Sequence, residues 1–260
     1  MQKILYSIYT YVKYLLSAKP ANGHRIHSPY IFRLATEVIL EKKKTNHPEI
    51  ENIRKKLYGS KQILRFSELG AGSKMKTLQV GILAKRSSVS SKYGRLLRRL
   101  AQFYQPSGIL EIGTSFGLST MYLATACPRT RLYTLEGNEE KCLIARENFD
   151  LLGLKNVEVM QGMFDDNLPV ALNNIKSPLF VFYDGNHSYE PTIKYFEWCL
   201  TKSDTNSIFV FDDIHWSEEM KRAWGYIQCH PVVKVTIDLY YMGLVLFKKE
   251  LQKQNFVIRF

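Results

Sequence analysis

Several things are missing from this chain of 260 residues, and each absence narrows what it can be. No apolar run approaches the ~20 residues needed for a helix to cross a bilayer, so no membrane-spanning helix is expected. Only Lys3 precedes the first apolar stretch, and no small-residue cleavage site follows it, so no secretory signal is expected either. Cysteine is scarce: Cys127, Cys142, Cys199 and Cys229 lie far apart, without C-x-x-C or His-paired spacing. That pattern speaks against a disulfide scaffold or a thiolate zinc site and for reduced thiols in a cytoplasmic protein. Internal repeats and low-complexity tracts are absent too, which removes solenoids and fibrous classes. With 45% hydrophobic residues the chain can fold around one sizeable core.

Acidic residues are rare at one end. Residues 1–100 hold 21 Lys and Arg against 5 Asp and Glu, whereas residues 101–260 hold 15 against 19. A basic N-terminal part can meet nucleic acid, an anionic membrane surface or an acidic substrate, or it can simply be a solvated surface. Within it Ile4, Leu5, Ile8, Tyr11, Val12, Leu15 and Leu16 recur at helical spacing, flanked by Lys3 and Lys13. Such a helix packs on its own protein or makes peripheral contact with a membrane or a partner. Pro20 to Gly23 ends it. His24, Arg25, His27, Ser28, Pro29 and Tyr30 then form a polar and aromatic cluster, read as a loop or helix entry because no carboxylate or thiol accompanies the histidines. Ser28-Pro29 suits an N-cap and first turn of a helix running to about Lys43. Another helix is expected between Pro48 and Tyr58, a flexible stretch from Gly70 to Lys92, and an amphipathic helix from Tyr93 to Tyr104. Residues 1–92 therefore read as a basic helical extension or cap, and 93–260 as a separate domain.

In that domain strand and helix patterns alternate. Strands are expected at Gly108–Ile112, Arg131–Glu136, Val157–Gln161, Leu179–Tyr183 and Ile208–Phe211, with helices such as Leu118–Ala126, Lys141–Leu152 and Thr192–Leu200 between them. Alternation of this kind gives a parallel sheet covered by helices on both faces. The chain closes differently, on strand patterns Val232–Tyr241 and Leu244–Lys248 joined at Met242-Gly243, which reads as an antiparallel hairpin. Ligands of open α/β sheets sit at the carboxyl ends of the strands. Those ends carry Glu111-Ile112-Gly113, Glu136, Gly162-Met163-Phe164-Asp165, Asp184 and Asp212-Asp213.

The stretch ILEIGTSFGLST, from Ile109 to Thr120, is the centre of this arrangement. Gly113 and Gly117 permit a tight turn before the helix, whose opening N–H groups face a ligand. Glu136, about 20 positions on, can accept both hydroxyls of a ribose. The G-x-G-x-x-G spacing of dinucleotide sites is not met. Instead, the E-x-G-x-x-x-G arrangement of Glu111, Gly113 and Gly117 resembles motif I of class I S-adenosylmethionine (SAM) methyltransferases. DGNHSYE, from Asp184 to Glu190, sharpens this to O-methyltransferases with a D-G-x-H-x-Y-E motif, related to the catechol and caffeoyl-coenzyme A enzymes. The resemblance covers roughly residues 90–250. It implies a Rossmann-like sheet of seven strands, mostly parallel, and a small-molecule or lipid-like acceptor methylated on oxygen. By the same resemblance Gly113, Gly117 and Ser119 lie near the methionine part of SAM, and Met163 and Phe164 flank the adenine; Asp184 can equally serve only to orient the SAM tail, His187 to cap a helix and Asp213 as an N-cap. Ser91, Lys92 and Tyr93 precede a helix that lines the acceptor pocket in relatives, and His215 with Trp216 can form another wall.

In those relatives a divalent cation is held by one Asp after the fourth strand and an Asp-Asn pair after the fifth. The matching positions are Asp184, Asp212 and Asp213, with Asp in place of Asn, 28 and 29 residues beyond Asp184. Three carboxylates suit Mg²⁺, Mn²⁺ or Ca²⁺. His187 matches the position of a catalytic lysine, and an imidazole titrating near neutrality suits a general base, with or without a metal. Two alternatives stay open: an RNA methyltransferase using the basic N-terminal region, and a non-catalytic SAM-binding or membrane-surface protein. No N-P-P-Y or D-P-P-Y motif for base amines follows the fourth strand, and no RNA-binding signature stands in the first 100 residues, so nucleic acid is not the expected partner. A homodimer is compatible with the sequence.

Overall fold

The computed structural model describes residues 2–18, 28–41, 45–66 and 76–260; His24, Arg25 and His27 of the polar cluster lie outside them. The chain divides into two compact units, one made of Met1–Lys43 with Lys176–Phe260, the other of Lys44–Ile175.

The second of these begins with helix α3 (Pro48–Gly59), strands β1 (Ile63–Phe66) and β2 (Lys76–Gln79), and helices α4 (Val80–Ser87) and α5 (Ser91–Tyr104). Then follow β3 (Gly108–Ile112), α6 (Leu118–Ala126), β4 (Arg131–Glu136), α7 (Glu139–Leu151), β5 (Val157–Gln161) and α8 (Phe164–Asn174). β3, β4 and β5 are parallel, with Glu111 beside Thr134 and Glu136 beside Gln161, so their carboxyl ends stand level. α5 buries Leu96, Leu97, Leu100 and Ala101 against α6, and Gly94 is where the two helices close up: a Cβ there would fall 2.4 Å from the Tyr122 ring. Glu51 of α3 joins the pair. It accepts hydrogen bonds from Ser91 Oγ (2.6 Å), Tyr122 Oη (2.5 Å) and the buried Arg54 Nε (3.0 Å).

The stretch 70–92, expected to be flexible, is corrected here. Residues 67–75 lie outside the described ones, but the rest is strand β2 paired antiparallel with β1, followed by α4. Glycine and serine do not loosen this segment because its apolar residues are used: Val80 and Ala84 are buried, and Val80 N and Gly81 N donate to Gln62 O and Ser60 O.

The other unit holds α1 (Gln2–Ser17) and α2 (Pro29–Arg33), capped by Ser28 as expected and continued by a wider π-turn over Leu34–Ile39. After residue 176 come β6 (Leu179–Tyr183), α9 (Tyr189–Leu200), β7 (Ile208–Asp212), α10 (Glu218–Cys229), β8 (Val235–Asp238), β9 (Met242–Leu246) and β10 (Gln254–Val257). β6 and β7 are parallel, β7 and β8 each pair antiparallel with β9, and β10 adds parallel to β8. β6 reads LFVFY and is buried throughout, the near-continuous apolar run of a strand covered on both faces. Tyr183 and Phe211 stack at 4.1 Å between them.

The alternating α/β architecture is as expected, with two differences. β10, parallel to β8, takes the strands among the described residues past the seven expected even with β1 and β2 set aside. The hairpin turn is at Leu239–Tyr241, not Met242-Gly243. Asp238 Oδ1 accepts Tyr240 N at 2.8 Å, and Leu239 N donates to Met242 O, which fixes Tyr240 at φ 73°. Gly243 is needed inside β9, because a Cβ would lie 2.5 Å from the Trp224 ring.

Candidate active site

The glycine-bearing turn after β3 is built by backbone geometry. Gly113 has φ 105° and Gly117 φ 83°, conformations that a Cβ disfavours. At Gly117 a Cβ would also meet the Phe149 ring at 2.4 Å. Gly113 N and Thr114 N both donate to Leu135 O at 3.0 Å, and Gly162 N donates to Glu136 O at 3.0 Å, so the ends of β3, β4 and β5 are tied together. Glu136 holds the turn directly: Oε2 accepts Ser115 N and Oε1 accepts Asn138 N, both at 2.9 Å. Ser115, at φ 48°, also meets Ser87 of α4 through its hydroxyl at 2.9 Å. That contact has no sequence signal, since α4 lies in the stretch read as flexible.

The other residues expected around the cofactor are placed differently from one another. Met163 is half exposed at the start of α8, while Phe164 is buried. Glu111 is fully buried; its Oε2 accepts the Thr134 hydroxyl at 2.6 Å and the Thr120 hydroxyl as well, and Oε1 has no protein partner among the described residues. Burial pushes its carboxyl up to about 7, against the opposing hydrogen bonds from Ser119, Thr120 and Thr134. Ser119 is thus turned toward Glu111 from the first turn of α6, and Ser91, at the start of α5, is bonded to Glu51.

In the other unit the expected acidic residues gather at the carboxyl ends of β6 and β7. His187 Nε2 faces Asp184 Oδ1 at 3.6 Å, within ion-pair reach but beyond a hydrogen bond. Burial pushes the Asp212 carboxyl well above the ordinary range, and the charges of Asp184 and Asp213 add to it, while His187 opposes the shift. Asp213 is raised by burial and again opposed by His187. Asp184, His187, Asp212 and Asp213 are therefore close enough to feel one another. Asn186 and Asp213 both sit at φ 54°, a region these residue types tolerate. Among the described residues no group of three His, Cys, Asp or Glu side chains is arranged to hold a metal ion.

Sequence reading missed a second imidazole–carboxylate pair. His215 Nε2 meets Asp238 Oδ2 at 2.7 Å, and the ring stacks on Tyr240 at 5.2 Å and 15°. A carboxylate closing the buried strand VTID was the available signal, but the partners stand 23 residues apart and on different elements. Trp216, next to His215, is 62% exposed and so is not core.

Residues 110–214 match a family described as a methyltransferase domain. The chain is 35% identical over 130 residues to a catechol O-methyltransferase of Niastella koreensis and 32% over 131 residues to one of Mycobacterium tuberculosis. These matches cover 49% and 50% of this chain, and the chain spans 58% of the length of each relative. Among solved structures, the O-methyltransferase TomG of Streptomyces achromogenes, in complex with SAM, is 27% identical, with a TM-score of 0.55, over 62% of this chain and 82% of that one.

Proposed function

We propose that this chain, whose residues 110–214 match a methyltransferase-domain family, transfers a methyl group from SAM to an oxygen of a small-molecule acceptor. The observation that carries the reading is the joined end of β3 and β4. Each oxygen of Glu136 is engaged by a single backbone N–H, so the carboxylate keeps lone pairs for a diol such as a ribose. Next to it the half-exposed Met163 offers apolar surface of the kind that covers a purine. These residues fit SAM: Glu136 for the ribose, the turn from Gly113 to Gly117 for the methionine part, and Met163 with Phe164 for the adenine. Bound SAM supplies an electrophilic methyl group on a sulfonium.

The acceptor must reach that methyl group as a nucleophilic oxygen. With Nε2 of His187 turned to Asp184, Nδ1 is the nitrogen left to take the acceptor's proton. Asp184, 3.6 Å from Nε2, orients the ring and faces the imidazolium that forms. A second reading adds a divalent cation at the three aspartates. The burial that raises Asp212, with the charges of Asp184 and Asp213 adding to it, favours this reading, because a hard dication would offset the cost of an ionised carboxyl there. No group of three among the described residues is set to ligate, so binding would require side chains to rearrange. Calorimetry with Mg²⁺ alone tests this reading directly: heat that disappears in Asp212→Asn supports the site, and an athermal titration of the wild type removes it.

A reducing, cytoplasmic setting suits the four free thiols, and the division at residue 92 into cap and methyltransferase domain remains part of the proposal. No helix among the described residues is long and apolar enough to cross a membrane. For the cofactor, the expected result is micromolar binding of SAM by calorimetry, weakened about tenfold or more in Glu136→Ala. Unchanged affinity in that variant sinks the assignment. Catechols, the acceptors named by the curated relatives, are the first probes of turnover.

A further inference from the structure

We propose that the outer face of α1 is a docking surface for an anionic lipid bilayer. The helix is held by one narrow face. Thr10 and Tyr14 are buried; Thr10 Oγ1 meets Tyr240 Oη at 3.2 Å, and Tyr14 Oη donates to Ile258 O at 2.6 Å and accepts Phe260 N at 3.1 Å. Tyr11 packs edge-on against Tyr240 at 4.9 Å beside this face. At about 100° per residue, the direction opposite Thr10 and Tyr14 passes through Val12, with Ile8 and Leu16 a turn to either side and Tyr9 on the flank. These four are 49%, 56%, 84% and 63% exposed, respectively. A helix docked on one side ordinarily turns charged and polar residues to the other. Here the outermost ridge is apolar and turned largely to solvent.

Charge selects the occupant. α1 contains no acidic residue, and Lys13 is exposed beside the ridge. The C-terminal tail that Tyr14 grips brings Arg259, also exposed, alongside the helix. Over residues 1–43 the sequence carries seven Lys and Arg against Glu37 and Glu41. Glu218 approaches the helix near Tyr6, away from the ridge. An apolar ridge with an aromatic side chain and basic flanks is the pattern of a helix lying in the plane of a lipid interface. Four side chains of one helix fall well short of the roughly 800 Å² per partner of an ordinary protein interface. A bilayer asks for no complementary shape, only for a straight convex ridge, and the bonds to Tyr240 and Ile258 present this one already fixed.

The test uses the full chain in co-sedimentation with vesicles of pure phosphatidylcholine and with vesicles containing phosphatidylglycerol. Binding is expected to the anionic vesicles and to weaken about tenfold or more in the triple variant Ile8→Ser, Val12→Ser, Leu16→Ser. The pair Lys13→Glu and Arg259→Glu should weaken it as well. All five positions are exposed, and unchanged thermal unfolding confirms that the variants fold. No binding by the wild type, or equal binding by the triple variant, overturns the proposal. So does a triple variant that turns a dimer into a monomer on sizing chromatography, since the ridge would then be a self-interface. The methyl-transfer reading is untouched by either result.

Discussion

Replacing His187 by alanine is expected to slow methyl transfer by roughly two to four orders of magnitude while leaving SAM affinity as it was. The expectation follows from where the imidazole sits. His187 lies within electrostatic reach of both Asp212 and Asp213, the two carboxyls that burial raises. Nε2 is held toward Asp184 at 3.6 Å, which leaves Nδ1 for the acceptor's proton. The competing base is His215, whose Nε2 bonds Asp238 at 2.7 Å, a tighter pair. Its ring, however, is stacked on Tyr240, and Asp238 also caps the Tyr240 amide, so this pair is engaged in holding the β8–β9 turn. His215→Ala should therefore cost stability and alter the acceptor's KM more than kcat. Single-turnover rates with a catechol probe decide between the two. A His187→Ala enzyme with near wild-type rate, beside a slow His215→Ala enzyme, would transfer the base to His215. Partial rescue of His187→Ala by added imidazole would support a proton-transfer role over a purely structural one.

Much of this was legible in the residues, and the parts that were not share a cause. β3, β4, β5, β6 and α6 fall where periodicity placed them, because short buried strands between glycine turns and an apolar helix are local signals. Asp184, Asp212 and Asp213 were singled out as strand ends, where α/β sheets gather ligands, and His187 by resemblance; the structure brings the four near one another. What escaped depends on pairs distant in sequence. Gly243 looks like a turn residue until the Trp224 ring is seen against it. Segment 76–87 looks loose until Val80 and Gly81 are seen bonded to Gln62 and Ser60. β10 and the His215–Asp238 pair belong to the same class. Glu111 shows the converse: its motif was legible, but its burial was not, and burial decides its chemistry.

That burial makes Glu111 the source of a measurable pH dependence. Its carboxyl is raised from 4.5 to about 7 in the folded chain, so the folded state holds the proton more tightly than the unfolded one. The sign follows: the contribution to stability is full below pH 4.5 and is lost as pH rises through about 7. The loss amounts to about 3 kcal/mol when fully ionised. Glu111→Gln removes the proton without removing the shape. Its carbonyl can still accept the Thr120 and Thr134 hydroxyls, and its amide takes the place of Oε1, which no protein group engages among the described residues. The variant should therefore match or trail the wild type near pH 5, where the amide gains nothing, and exceed it by about 2 to 3 kcal/mol at pH 8. Urea denaturation of both proteins across that range gives the answer as a difference, in which every other titrating group cancels. Parallel curves would mean that the carboxyl stays ionised at its ordinary value, and that the end of β3 carries a fixed negative charge beneath the turn at Gly113.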